Sequence, residues 1–343
     1  MTVMKKLIML FLTVTMILTI SIGCENSANR PGVDDAANEQ SFLEEVAEKL
    51  GIANYRIPSP VPPVSATPSF FPFPMPEATG ELVEKNTKAE IDFSNSANGY
   101  VMIRFLEPTD LQLRVRITGP SGIMYTYILN REGDFEVFPL SDGNGTYEIN
   151  VFEQVEGSRY ALALSKTIDV TLLDEFAPFL RPNQYVNFTP DCNIVAKAAE
   201  LVGGFDDFFD KVHAIYYFVI NNFTYDYEFA QAVQEGGHSG YLPDLDAVLA
   251  SRKGICFDYA AVMTGMLRSQ GLPTKLVVGY AGEVYHAWLN VYSEETGWIA
   301  GIISFDGHQW NLMDPTFAAT GNQSPRAMAF IGDGTNYNAM FLY

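Results

Sequence analysis

The sequence predicts two folded units in series: an N-terminal β-sandwich of immunoglobulin-like architecture, then a C-terminal domain that mixes helices and strands. A chain of 343 residues exceeds one ordinary domain once its ends are set aside. Between Ala89 and Leu173 apolar residues recur with period two, and beyond Pro182 the interval becomes three and four, the marks of strands and then of helices. Hydrophobic residues make up 48% and charged residues 18%, enough apolar material to fill cores, which excludes global disorder. A net charge of −20 repels phosphate backbones, so nucleic acid is not an expected partner.

At the start of the chain, Lys5 and Lys6 precede an apolar run from Leu7 to Ile22. The run is shorter than the roughly 20 residues that a spanning helix needs, and it reads as a secretion signal. It ends in Ser21-Ile22-Gly23-Cys24, which resembles the bacterial lipobox. Residues 1–23 would then be a lipoprotein signal peptide and Cys24 the lipidated N-terminus, anchoring an exported protein to the membrane at the cell surface. Ser21 departs from that motif, which favours a branched aliphatic residue there; an ordinary cleaved signal is the alternative, and both readings export the chain. Residues 24–84 read as a lipid-anchored, Pro-rich linker. It contains a short amphipathic helix over Ser41–Leu50, with Phe42, Val46 and Leu50 on one face, and eight prolines between Pro58 and Pro76, which favour an extended spacer. Phe70, Phe71 and Phe73 leave open that part of it packs down on a domain.

Residues 85–178 are the sandwich. Leu111 to Ile117 and Tyr147 to Val151 alternate, and Gly119-Pro120 and Asp142 to Gly145 mark turns; several short strands at regular spacing give a sandwich. The segment has no histidine or cysteine, so it reads as a structural adapter or a partner-binding module. Residues 179–343 open with helical spacing over Val195–Val202 and Asp210–Asn222.

The chemistry centres on Cys256. Arg252-Lys253-Gly254-Ile255-Cys256 leads into an amphipathic helix to Gln270, stopped by Gly271 and Pro273. Cys256 thus lies in the first turn, where free N–H groups and the helix dipole favour a thiolate; a buried structural cysteine is the bland alternative. Two strands follow, Lys275–Tyr280 and Val284–Tyr292, and the second puts His286, Trp288 and Asn290 on one face. His213 falls within a helical stretch and His238 and His308 in turn-like surroundings, so His286 is the histidine on a rigid strand, suited as base to a thiol. Asp314, ahead of Pro315 at the end of a further strand, is placed to orient the imidazole, although Asp-Pro alone is an ordinary turn starter.

Gly254-Ile255-Cys256-Phe257-Asp258-Tyr259-Ala260, Tyr285-His286-Ala287-Trp288 and Leu312-Met313-Asp314-Pro315-Thr316, with Asn222-Phe223-Thr224-Tyr225-Asp226 ahead of them, together resemble the transglutaminase-like superfamily over about Val195 to Phe317. The resemblance implies a papain-like α+β core with a Cys256/His286/Asp314 triad. It also implies acylation of the cysteine by a carboxamide or peptide carbonyl of a protein or peptide substrate. The oxyanion would meet the N–H of Cys256 and a second donor, for which Tyr225 is the candidate. Three functions stay open: acyl transfer to an amine, hydrolysis by the same residues, and a surface binding or scaffolding lipoprotein without turnover. No metal or organic cofactor is implied. Export raises the further question whether Cys192 pairs with Cys256.

Overall fold

Alternation over residues 113–118, 124–129 and 147–152 puts one face of each strand into a core and turns the other outward. The computed structural model describes residues 73, 75–238, 240–294, 297–300, 302–305, 310–320 and 336–343. The signal peptide, Cys24, the helix over 41–50 and nearly all of the proline-rich stretch lie outside the described residues. Strands β1 (Val83–Lys85), β2 (Ala89–Asp92), β3 (Tyr100–Phe105), β4 (Leu113–Thr118), β5 (Met124–Leu129), β6 (Glu136–Pro139), β7 (Gly145–Glu156) and β8 (Arg159–Val170) form two antiparallel four-stranded sheets. Their orders are β1-β2-β3-β6 and β5-β4-β7-β8. Ile91 and Ile103 of the first and Val115, Ile117 and Val151 of the second join one buried cluster. Phe73, the one described phenylalanine of the proline-rich stretch, is buried too, its ring edge-on to Phe188 at 5.0 Å.

The second half begins with helices α1 (Asn193–Val202) and α2 (Phe208–Asn222), the strand β9 (Thr224–Tyr225), and helices α3 (Tyr227–Gln234) and α4 (Leu245–Ser251). Asp207, Asp226 and Asp244 cap α2, α3 and α4 by accepting backbone N–H groups of the first turn. Then come β10 (Lys253–Gly254), parallel to β9, and helix α5 (Cys256–Ser269). From Asp258 to Ser269 every residue of α5 is buried, because α1, α2, α4 and α6 (Pro315–Thr320) surround it on one side and a sheet lies on the other. That sheet has the order β13-β12-β11-β16, made by β11 (Thr274–Ala281), β12 (Val284–Ser293), β13 (Gly297–Ala300) and β16 (Tyr337–Leu342). The hairpin β14 (Ile302–Phe305) and β15 (Trp310–Met313) leads into Asp314. Gly271, at φ +76°, ends α5 as its position in the sequence predicts.

Two features tie the halves together, and all described residues belong to one unit by contact. An aromatic seam runs from the β5 rings to the second half: Tyr343 lies 5.6 Å from Tyr125, 5.8 Å from Tyr127 and 4.6 Å from Tyr185. Gln184 adds hydrogen bonds, its Nε2 donating to Ile128 O at 2.6 Å and Glu136 Oε1 at 2.9 Å. Below the seam the fully buried Arg268 donates to the main-chain oxygens of Thr274, Arg181 and Tyr343 at 2.9, 2.8 and 2.6 Å. Burial draws its pKa down to about 9, yet it keeps its proton at neutral pH.

Candidate active site

Cys256 is the first residue of α5, and the local sequence fixes it there. Ile255 is extended, and its N–H donates to Asp258 Oδ2 at 2.8 Å. The other oxygen of Asp258 accepts from Tyr241 Oη at 2.6 Å. Burial raises the Asp258 pKa in spite of both donors. A Cβ on Gly254 would stand 2.6 Å from the Asp258 Cβ, so glycine there is a packing requirement. The capping aspartate two residues past the cysteine was visible in the sequence as a residue, but its bond to Tyr241 was not.

His286 sits on β12 paired with Gly279 of β11, and it is 4% exposed. Its Nε2 meets Asp314 Oδ2 at 2.5 Å, which leaves the other ring nitrogen for the Cys256 side chain, to which the imidazole is hydrogen-bonded. Burial opposes charge on this ring. The Asp314 carboxylate and Cys256 outweigh it, and the pKa rises to about 10. Asp314 is fully buried and further held by Thr316 N–H at 2.9 Å and Tyr337 Oη at 3.2 Å. Tyr337 packs edge-on to Trp288 at 5.1 Å, and Trp288 stacks beside His286 at 6.2 Å. Tyr337 escaped the sequence reading because β16 lies far along the chain and carries no motif.

The oxygen of Tyr225 is hydrogen-bonded to the backbone of Cys256, and burial raises its phenol pKa. Cys256, His286, Asp314 and Tyr225 are therefore brought together. The other histidines are elsewhere: His213 is half-buried in α2 beside Tyr217, its pKa lowered by desolvation to about 4, and His238 packs edge-on to Phe229 at 5.0 Å. His308 lies outside the described residues. Cys192 and Cys256 are both free thiols; Cys192 Sγ accepts from Thr189 N–H at 3.3 Å at the start of α1. Among the described residues no three His, Cys, Asp or Glu side chains converge as a metal site would.

Cys256 and His286 open on a cleft of about 1020 Å³. Its lining includes the rings of Tyr185, Tyr225, Tyr227, Phe257 and Tyr285, and Glu283 is its one carboxylate among the described lining residues. Thr126 and Ile128 of β5 line it as well. The N-terminal sheets, expected to be a spacer or adapter, thus supply one wall of the site. The sequence could not show this, because the contact is made by ordinary strand residues with no motif.

Comparison with known proteins adds the following. Residues 195–301 match the core model of the transglutaminase-like superfamily, a segment that includes Cys256 and His286 and stops short of Asp314. The uncharacterized protein YebA of Bacillus subtilis (strain 168) is 29% identical over 121 residues, which cover 30% of this chain and only 16% of that relative. Among solved structures, the periplasmic domain of TgpA from Pseudomonas aeruginosa aligns over 70% of this chain and 99% of its own at 15% identity, with a TM-score of 0.31. A red sea bream transglutaminase aligns over 68% and 53% at 13% identity, with a TM-score of 0.25. Residues 195–301, from α1 to the end of β13, are a transglutaminase-like superfamily core.

Proposed function

We propose that this protein is a cysteine enzyme that acts on carboxamide or peptide carbonyls through a thioester on Cys256. The observation that carries the reading is the hydrogen-bonded chain Cys256–His286–Asp314, whose cysteine and histidine line the cleft. Asp314 and Cys256 hold a proton on the buried His286 ring against the cost of burial, so the imidazole is the group that takes the proton of Cys256 and frees the thiolate. The thiolate attacks the carbonyl carbon while its oxygen gathers charge. The Tyr225 hydroxyl and the backbone N–H of Cys256, which at rest is bonded to the Tyr225 oxygen and turns from it to the substrate, receive that oxyanion. Collapse breaks the C–N bond, His286 hands its proton to the departing nitrogen, and a thioester remains. Water or an amine, deprotonated by His286, then attacks the thioester and releases Cys256.

In the same reading residues 1–23 are a lipoprotein signal peptide, Cys24 carries the lipid, and residues 24–84 link the anchor at the cell surface to the folded part. Residues 85–178 are an immunoglobulin-like sandwich and residues 179–343 the transglutaminase-like domain. Iodoacetamide labelling of the protein without its N-terminal linker tests the chemistry. At pH 6.5 Cys256 should be alkylated on the order of 100-fold faster than in His286→Ala, the ratio of a full thiolate to one in an ordinary thiol. Equal, sluggish rates would make Cys256 an inert thiol and favour a binding lipoprotein without turnover.

A further inference from the structure

The wall that β5 gives the cleft is an edge strand. Its partner β4 lies on one side only, and the register decides which backbone groups face the other. Gly119 N–H donates to Ile123 O in the β4–β5 turn at 3.2 Å, and Gln154 N–H donates to Gln112 O across β4 and β7 at 2.8 Å. Continuing both patterns along the antiparallel ladders, Tyr125, Tyr127 and Leu129 bond to β4, and the N–H and C=O of Met124, Thr126 and Ile128 point away from it. The side-chain bond from Gln184 to Ile128 O confirms the direction. It also ends any further pairing there. Thr126 is exposed and lines the cleft that holds Cys256. Behind it the loop after α3 closes against Ile128, where a Cβ on Gly240 would come within 2.4 Å of the Ile128 Cδ1.

We propose that the edge of β5 at Thr126 is a substrate subsite that pairs, as an added strand, with an extended polypeptide segment whose reacting carbonyl lies at Cys256. This rests on the catalytic reading and names its substrate class. Among the described residues no hydrogen bond meets the outward backbone groups of Thr126, and such groups on an exposed strand are matched best by another backbone. The cleft, at the upper end of the size of small-molecule pockets, has room for several extended residues, and its aromatic walls suit the side chains that alternate off such a strand. The N-terminal sheets are then part of the substrate-binding machinery.

The test compares two alkylating reagents on the protein from residue 73 onward: iodoacetamide, and a short uncharged peptide amide capped with an iodoacetyl group. In the unaltered protein the peptide reagent should alkylate Cys256 about 10-fold faster than iodoacetamide at equal concentration, an advantage of the size that one or two net hydrogen bonds provide. Thr126→Pro deletes the outward N–H at a position where an edge strand tolerates proline. It should abolish that advantage, so that the two reagents label Cys256 of the variant at equal rates. Hydrogen exchange on the unaltered protein gives a second readout should the proline variant not fold: the Thr126 amide should become protected when the peptide reagent occupies Cys256. Iodoacetamide labelling without a peptide advantage overturns the strand subsite alone. So does an advantage that survives Thr126→Pro, or an amide that stays unprotected in the labelled protein. Failure of both reagents to label Cys256 overturns the catalytic reading and this one with it.

Discussion

His286 is pulled in two directions, and the balance makes its environment measurable. Burial removes hydration from the imidazolium, while Asp314 and Cys256 hold the proton on the ring up to about pH 10. A group whose pKa is raised in the folded state stabilises the protein fully below its unfolded value of about 6.5 and loses that contribution as pH climbs through the folded value. The stability of the native protein over His286→Ala, read from urea unfolding, should therefore be largest at pH 6 and shrink steadily towards pH 10. A difference that grows with pH would contradict the ion pair. Arg268 is the opposite case, a buried cation bound by three main-chain oxygens. Arg268→Met strands those oxygens and should cost about 3 kcal/mol or more in the same experiment. Single residues were unevenly legible. Cys256 and His286 were singled out by a helix start and a strand face, whereas Asp314, an ordinary Asp-Pro turn starter on its own, stood out only through its place in order after them. Tyr337 and Arg268 act through contacts that close only when strands distant in sequence meet.

At the scale of elements, the start of α5 depends on a mutual fit rather than on helix propensity. Gly254 leaves room for the Asp258 side chain, Asp258 takes the Ile255 N–H, and β10 aligns this turn beside Tyr225 on β9. Gly254→Ala forces two β-carbons to about the 2.6 Å seen between an ideal Cβ and Asp258. The strain is of the overpacking kind, about 1–3 kcal/mol, and it falls on the turn that aims Cys256. Slower alkylation of Cys256 together with a lower unfolding midpoint is the expected result; an unchanged alkylation rate would mean that the cysteine is positioned by other contacts. The long elements α1, α2, α5, β11 and β12 were readable because each shows two or more periods of its own repeat. Helices α3 and α4 span only 8 and 7 residues, too few turns for a stripe, and their capping aspartates resemble any loop aspartate until the helix is known.

Across the whole molecule, the sheets and the cysteine-bearing half share one buried cluster and an aromatic seam at Tyr343. Residues 73–343 should therefore unfold in a single calorimetric transition, with the van't Hoff and calorimetric enthalpies equal. Two separate transitions would mean that the seam contributes little. A fragment beginning at residue 179 should expose the rings of Tyr185 and Tyr343 and aggregate. Composition and periodicity disclosed the order of the two halves. That one forms a wall of the other's cleft was hidden, since strand residues facing a neighbour look the same as those facing water. The aromatic residues are also unevenly shared: all three tryptophans lie at or beyond Trp288, and Trp288 stacks beside His286. A protonated imidazole takes an electron from an excited indole readily and a neutral one poorly, so the light emitted by Trp288 carries a record of the proton a few ångströms away. The protein contains its own optical probe of the ion pair, one that needs neither a label nor a known substrate.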